Sequence, residues 1–425
     1  KGTPLNDLKL RASWGKTGSM DGISNWAAMS LVTSGGNSYN GSSGFKIGAD
    51  AADLIWEKAN QVNVGINAEL FNGRLALSVD GYYQKTSGLL YNISTLATTG
   101  YTTRTANIGS LENKGLEVMV SGKIFDGPFK WELATNLSYT KNKLLSLDGV
   151  LDMKINGGGA NTGKVMHALM VGKPVSAFYM LRQDGIYQTD QEVPSKLYAK
   201  GVRAGDCKYF DYNNDGDITD DDRMYVGKFT PDIYGCITST MNWKNFDLSI
   251  FCQFAAGGKI LSAWKGCGGT EGTEHLGLAS SSIKGYKNGT LVNSEQFYNI
   301  SKYAANHYWR GEGTSNTVPR PTLAGTFTGG FGNNLVSTRY LEDASYFKFK
   351  TITLGYSLPH SLLSKIHVTG ARIFVSLDNF FTLTKYSGYD PEFSYESNPT
   401  GNSYGADFGE QATLKSFIIG ASINF

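Results

Sequence analysis

The chain has 425 residues with 40% apolar and 12% aromatic content, 52 Gly, 10 Pro and 4 Cys. That apolar content excludes a disordered chain, and glycines without a period of three exclude a collagen. A net charge of +2, from 39 Lys+Arg against 37 Asp+Glu, with no dense basic run, argues against nucleic acid as a partner.

Period-two alternation predicts ten strands in chain order. The first, 7–15, sets Leu8, Leu10, Ala12 and Trp14 against Lys9, Arg11 and Ser13. The second, 58–71, sets Val62, Val64, Ile66, Ala68 and Leu70 against Asn63, Gly65, Asn67 and Glu69. Asn72-Gly73 is a hairpin signal leading into 74–88, where Leu75, Leu77, Val79, Gly81 and Tyr83 continue the apolar face. The pair 113–125 and 129–142 is joined by Asp126-Gly127-Pro128. The pair 233–243 and 246–256 follows, then 342–358, 369–382 and a last strand at 413–425.

These strands are longer than the usual mode of about 5–6 residues and match the roughly 9–11 tilted residues that cross a bilayer. Short links at 71–74, 126–128, 243–245 and 359–368 alternate with long ones at 16–57, 89–112, 143–232, 257–341 and 383–412. Short turns at one end and long loops at the other are the pattern of an outer-membrane barrel. No apolar run reaches the roughly 18 residues of a transmembrane helix. Mean hydropathy is −0.26, which a barrel also produces, because only alternate residues face lipid. Glu69, Asp80, Glu117, Glu132, Asp247, Arg372 and Asp378 lie opposite the apolar stripes. A lipid-facing Arg or Lys at the midplane costs about 2–4 kcal/mol, so the charged face must line a lumen. The chain opens on Lys1 and reads as strand within seven residues, so upstream elements are expected.

Several segments resemble the SusC/RagA family of TonB-dependent outer-membrane transporters. They are 8–18 (LKLRASWGKTG), Gly205-Asp206 leading into 211–218 (DYNNDGDI), Pro231, 246–249 (FDLS), 337–340 (STRY), 354–356 (LGY), Asp378-Asn379 and 388–391 (GYDP). They span nearly the whole chain in family order and resemble the C-terminal half of a member. The resemblance implies an all-β fold: the last ~10 strands of a 22-stranded antiparallel barrel, with the whole chain 1–425 one barrel part and 143–232 and 257–341 as long extracellular loops. It implies TonB-driven import of an oligosaccharide or a peptide, with a SusD-like surface lipoprotein as partner. The TonB box, the plug domain and the first twelve strands have no counterpart in these residues and belong to the remaining half of such a protein. Gly420, Ile423 and Phe425 resemble the signal read by the barrel-assembly machinery; any amphipathic strand ending in Phe has the same look.

The sharpest local motif is 211–222, where Asp211, Asn213, Asp215, Asp217, Thr219 and Asp222 follow calcium-loop positions 1, 3, 5, 7, 9 and 12. Asp211, Asn213 and Asp215 would supply side-chain oxygens and Asp217 a backbone carbonyl, while Gly216 permits the turn. Asp222 replaces the usual Glu with a shorter arm. Seven aspartates between 206 and 222 would repel one another without a cation; the alternative is a solvated acidic loop. A calcium ion bracing the 143–232 loop is therefore expected. Trp26, Trp264, Tyr308 and Trp309 fall in long links and could stack on sugar rings or hold peptide side chains; loop packing is the alternative. Trp14, Trp56 and Tyr83 suit an interfacial girdle.

Cys207, Cys236, Cys252 and Cys267 match no zinc spacing, and Cys252 reads as a small lipid-facing hydrophobe. The five histidines form no HExxH motif and no G-x-S-x-G elbow is present, so no enzyme is expected. The rival readings are a passive pore or adhesin barrel, an outer-membrane hydrolase and a soluble β-sandwich.

Overall fold

The computed structural model describes residues 4–20, 26, 29, 31–39, 42–48, 53–94, 98, 103–147, 153–155, 167–265, 286–287, 290–291, 301–321, 332–363, 368–392, 405–409, 411 and 413–424. Ten long strands carry a large antiparallel sheet: β1 (Leu5–Ser19), β2 (Glu57–Leu70), β3 (Leu75–Ser87), β4 (Ser110–Asp126), β5 (Phe129–Ser146), β6 (Ile233–Trp243), β7 (Phe246–Ala256), β8 (Tyr346–Ser357), β9 (Gly370–Thr384) and β10 (Ser416–Asn424). Among the described residues no helix is long and apolar enough to cross a membrane. Two compact units divide the chain, the first being 1–154, 169–175 and 235–248, the second 155–168, 176–234 and 249–425.

In the first unit, hydrogen-bonded neighbours run in the order β1-β2-β3-β4-β5-β6. Chain neighbours pair because their connections are short or return to the same edge, as antiparallel ladders allow. Register rows carry one chemistry across four strands. Leu10 pairs with Ile66, Ile66 with Val79 and Val79 with Val118, all on the apolar face. Leu10 and Trp14 are 71% and 74% exposed. An exposed apolar face of this extent is stable only against lipid or another apolar surface. The Asn72-Gly73 turn puts Phe71, Asn72 and Gly73 at φ values of 54°, 57° and 76°. Asn6 of β1 secures it, accepting from Asn72 N–H at 2.6 Å and donating to Asn72 Oδ1 at 3.1 Å.

In the second unit the order is β7-β8-β9-β10. The long links here are not plain loops. Ala177–Met180 pairs with Met224–Lys228, and Gln183–Ile186 with Cys207–Tyr209. Lys259–Ser262 pairs antiparallel with Leu341–Asp343 and parallel with Ala406–Asp407. The expected strand 342–358 is therefore two elements. Leu341–Asp343 turns away to join the link strands, and β8 begins only at Tyr346.

Two apolar cores hold this link body together. One joins Phe178, Met180, Leu261, Ala263, Val336, Tyr340 and Ala406. The other joins Leu181, Tyr187, Val193, Leu197, Val202, Cys207, Tyr209 and Ile218. Each large apolar side chain sealed there contributes about 1.5–3 kcal/mol, which is what orders segments that the alternation pattern leaves unassigned. Among the described residues Cys207, Cys236 and Cys252 are free thiols. Cys252, on the apolar stripe of β7, is buried.

Candidate functional site

The polar face of the first unit is a connected network. Arg11 Nη2 stands 2.8 and 2.7 Å from the two carboxylate oxygens of Asp80 and 2.8 Å from Asn67 Oδ1. The Ser78 hydroxyl donates to Asn67 at 2.9 Å and to Asp80 at 3.0 Å. Arg11 is on β1 and Asp80 on β3; the strand between them presents Gly65, in register with both. A Cβ at Gly65 would lie 2.0 Å from Asp80 Oδ1 and 3.1 Å from Arg11 Nη2. The glycine is what lets a salt bridge span an intervening strand. This part of the face is suited to polar solutes, with Arg11 and Asp80 paired across β2.

In the second unit the acidic loop sits between Cys207–Tyr209 and Met224–Lys228. Asp211 accepts from Asp215 N–H at 3.2 Å and Gly216 N–H at 2.8 Å, and Asn213 Oδ1 accepts from Asp215 N–H at 3.0 Å. Asp215 accepts from Asp217 N–H at 2.7 Å. Asp222 is fully buried and closes the loop, accepting from Tyr212 N–H at 2.9 Å and Thr219 N–H at 2.7 Å. Asn214 and Gly216 take φ values of 59° and 78°, the left-handed turns this winding needs. Lys200 donates to the Asp217 carboxylate at 2.6 Å and holds its pKa below the usual range. The same carboxylate also accepts from Ile218 N–H at 2.8 Å. Lys196 reaches the Asp215 carbonyl. The loop's donors are all oxygens, which suits a hard cation. Among the described residues, no three His, Cys, Asp or Glu side chains form a group that could hold a metal ion; the carboxylates are turned onto backbone N–H groups instead.

The aromatic candidates are dispersed. Trp26 is 60% exposed in the first unit. Trp264 is half-buried, its indole N–H donating to Tyr386 Oη at 3.2 Å, and Tyr386 donates to Asp407 at 2.5 Å. Burial and that carboxylate raise the Tyr386 pKa. Trp309 packs over Gly205, where a Cβ would fall 2.5 Å from its ring, and donates to Gln188 Oε1 at 3.2 Å. Tyr308 packs on Ala304 and Val318 with the Arg310 guanidinium 4.5 Å from its ring. Of the carboxy-terminal signal, Gly420 pairs with Phe374 across β9 and β10, and Ile423 with Ala371. Phe425 lies outside the described residues, as do Cys267, His275 and His367.

Two buried ionic centres escaped the side-chain spacing rules. Asp206 is fully buried and takes a two-pronged bond from Arg320 at 2.9 and 3.0 Å, with Asn333 at 3.0 Å. Lys348, near the start of β8, donates to both oxygens of Asp390 at 2.8 and 2.9 Å and to Glu392; Lys350 reaches Glu392 at 3.0 Å. Burial by itself would lift the Asp390 carboxyl, but hydrogen bonds from Lys348 and Thr413 outweigh it and leave the pKa lowered. The only signal for these was their place in the motifs at 205–206 and 388–391.

The family model described as "TonB dependent receptor-like, beta-barrel" matches residues 3–249. The chain belongs to this family. As a TonB-dependent receptor barrel, it is placed in the outer membrane of a Gram-negative cell. TonB-dependent receptor P3 of Formosa agariphila is 29% identical to it, covering 99% of this chain and 40% of that protein. TonB-dependent receptor SusC of Bacteroides thetaiotaomicron is 26% identical over 99% of this chain and 38% of its own length. The receptor chain thus spans about two fifths of these curated relatives, which are receptors and not enzymes. The solved structure of the RagAB peptide transporter superposes with a TM-score of 0.73 at 23% identity, covering 100% of this chain and 42% of that one, a likeness of fold.

Proposed function

We propose that this chain forms barrel wall and extracellular loops of a receptor that imports a nutrient oligomer, an oligosaccharide, across the outer membrane with energy delivered through TonB. A SusD-like surface lipoprotein would cover the long-loop end. The observation that carries this reading is the family match together with SusC-like similarity over nearly the whole chain. The polar network around Arg11 and Asp80 supports it, because a hydrated solute must pass a face that offers hydrogen bonds. The fold likeness to the RagAB peptide transporter favours oligopeptide import as the second reading. The test is uptake of labelled oligosaccharides and oligopeptides by cells with and without the intact receptor, before and after collapse of the proton gradient. Receptor-dependent, gradient-dependent oligosaccharide uptake is expected. Peptide uptake alone would replace the substrate, and uptake that survives gradient collapse would overturn active import in favour of a pore.

The acidic loop 211–222 would bind calcium as a structural brace, through Asp211, Asn213, Asp215, the Asp217 carbonyl and Asp222. The support is its oxygen-only donor set and the left-handed turns at Asn214 and Gly216. Calorimetry on the intact receptor should show calcium binding at millimolar concentration or below that Asp211→Ala abolishes. No heat from wild-type protein would end this reading.

A further inference from the structure

On the outward, apolar-stripe side of the first unit, the chemistry changes abruptly at the end where the long links emerge. Trp14, Val62, Tyr83, Lys114 and Lys141 form one register row, and Lys16, Asn60, Lys85, Glu112 and Lys143 the next. Lys58 follows one row further on, paired with Gly18. All six lysines are exposed. Glu112 is the acid among them, 3.6 Å from Lys114 Nζ and 3.4 Å from the Tyr83 hydroxyl. Below these rows the outward face of β5 runs from Phe129 to Tyr139. At about 3.4 Å per residue and a ~40° tilt that is roughly 26 Å of height, the apolar thickness of an outer-membrane barrel. The lysines therefore stand at the level of the outer-leaflet headgroups, in and just above the row that holds Trp14 and Tyr83.

This belt also contains a shaped site. An open groove of about 460 Å³ lies between Lys16 and Lys58, floored by Leu54, Ile55 and Trp56 beside Gly18. Gly18 is required there, since a Cβ would fall 2.6 Å from the Trp56 ring. Asn107 fixes the floor, accepting from Ile55 N–H at 2.7 Å and donating to Ile55 O at 2.6 Å. Two ammonium groups flanking an apolar floor match an anionic headgroup with its first acyl carbons.

We propose that the outward lysine belt of β1–β5, with the Lys16–Lys58 groove as its built site, binds phosphate-bearing lipid headgroups of the outer leaflet. The inference rests on family membership for the membrane and on register for the placement, and is independent of what the receptor imports. A basic residue near an anionic lipid surface is worth about fivefold in binding. The intact receptor in neutral detergent is titrated with a short-chain phosphatidic acid, short-chain phosphatidylcholine and inorganic phosphate. Wild type should bind the phosphatidic acid most tightly. Combined Lys16→Gln, Lys58→Gln, Lys85→Gln and Lys143→Gln should weaken it by about two orders of magnitude or more. Lys9→Gln, Lys123→Gln and Lys130→Gln, on the opposite strand face, should leave it unchanged, with three charges lost there against four in the belt variant. Trp56→Ala should weaken the lipid but not inorganic phosphate. Equal affinity in the wild type and the four-lysine variant would overturn the proposal. So would inorganic phosphate binding as tightly as the lipid.

Discussion

Lys348 is the position where a single substitution should do the most damage to the link body while sparing the sheet. Its side chain is 2% exposed and its partner Asp390 6%. Lys348→Met keeps the volume and removes the charge, leaving Asp390 and Glu392 buried as neighbouring carboxylates. Removing one member of a buried ion pair costs about 3–5 kcal/mol. Glu392 keeps Lys350 at 3.0 Å and is 21% exposed, which puts the cost at the lower end, ~3 kcal/mol. At about 1.36 kcal/mol per decade that is roughly a hundredfold rise in local opening of residues 385–392 and 405–409. Amide hydrogen exchange by mass spectrometry on the intact receptor in detergent reads this directly. The double variant Lys348→Met with Asp390→Leu should recover most of the protection, because an apolar replacement of the pair leaves no orphan charge. Exchange that changes less than fivefold in the single variant, or no recovery in the double, would refute the reasoning.

The same segment should be acid-labile in a defined window. The Asp390 and Glu392 pKa values are lowered on folding, Glu392 because bonds from Lys348 and Lys350 outweigh its burial. Their stabilisation is thus full above the unfolded values near ~4 and is lost as pH falls through the folded ones. Proteolytic cleavage at 385–392, corrected for protease activity, should be flat from pH 7 to about 5 and rise below about 4; a rise already at pH 6 would contradict this. Gly65→Ala should displace Asp80 from Arg11 and lower the thermal midpoint of the barrel. Gly15→Ala, with nothing within 4 Å of its Cβ, should not; equal effects would argue against the spanning salt bridge. Gly420→Ala places a Cβ 2.3 Å from the Phe374 ring, so it should slow membrane assembly. Phe374→Leu should relieve it, and failure of that rescue would assign Gly420 to recognition of the terminal strand instead.

The ten long strands were legible because alternation is a local property: Val62 to Leu70 repeats every two residues whatever lies beside it. Their ends moved by a few residues, and at 342–358 the change is one of partner, since Leu341–Asp343 pairs with Lys259–Leu261 and not with β9. Nothing in the composition of 257–262 or 341–343 announces that pairing. The acidic loop was legible as a turn, since Gly216 and the spacing of its oxygens are written in eleven consecutive steps from Asp211 to Asp222. The link-body cores were not, because Phe178, Leu261 and Ala406 meet only after three separate links have returned to one place.

Local chemistry alone therefore determined the period of the strands, which face is apolar, which end carries the long links and what oxygens the 211–222 loop can offer. Partnership was decided by tertiary structure. Arg11 finds Asp80 across a strand because Gly65 leaves room, Lys348 finds Asp390 because the 385–392 segment folds back onto β8, and six lysines scattered from 16 to 143 fall into adjacent rows through strand register. The physical reason is range. Backbone alternation is set by adjacent dihedrals, whereas charge pairing and burial depend on residues tens of positions apart whose approach only the folded sheet and its links define.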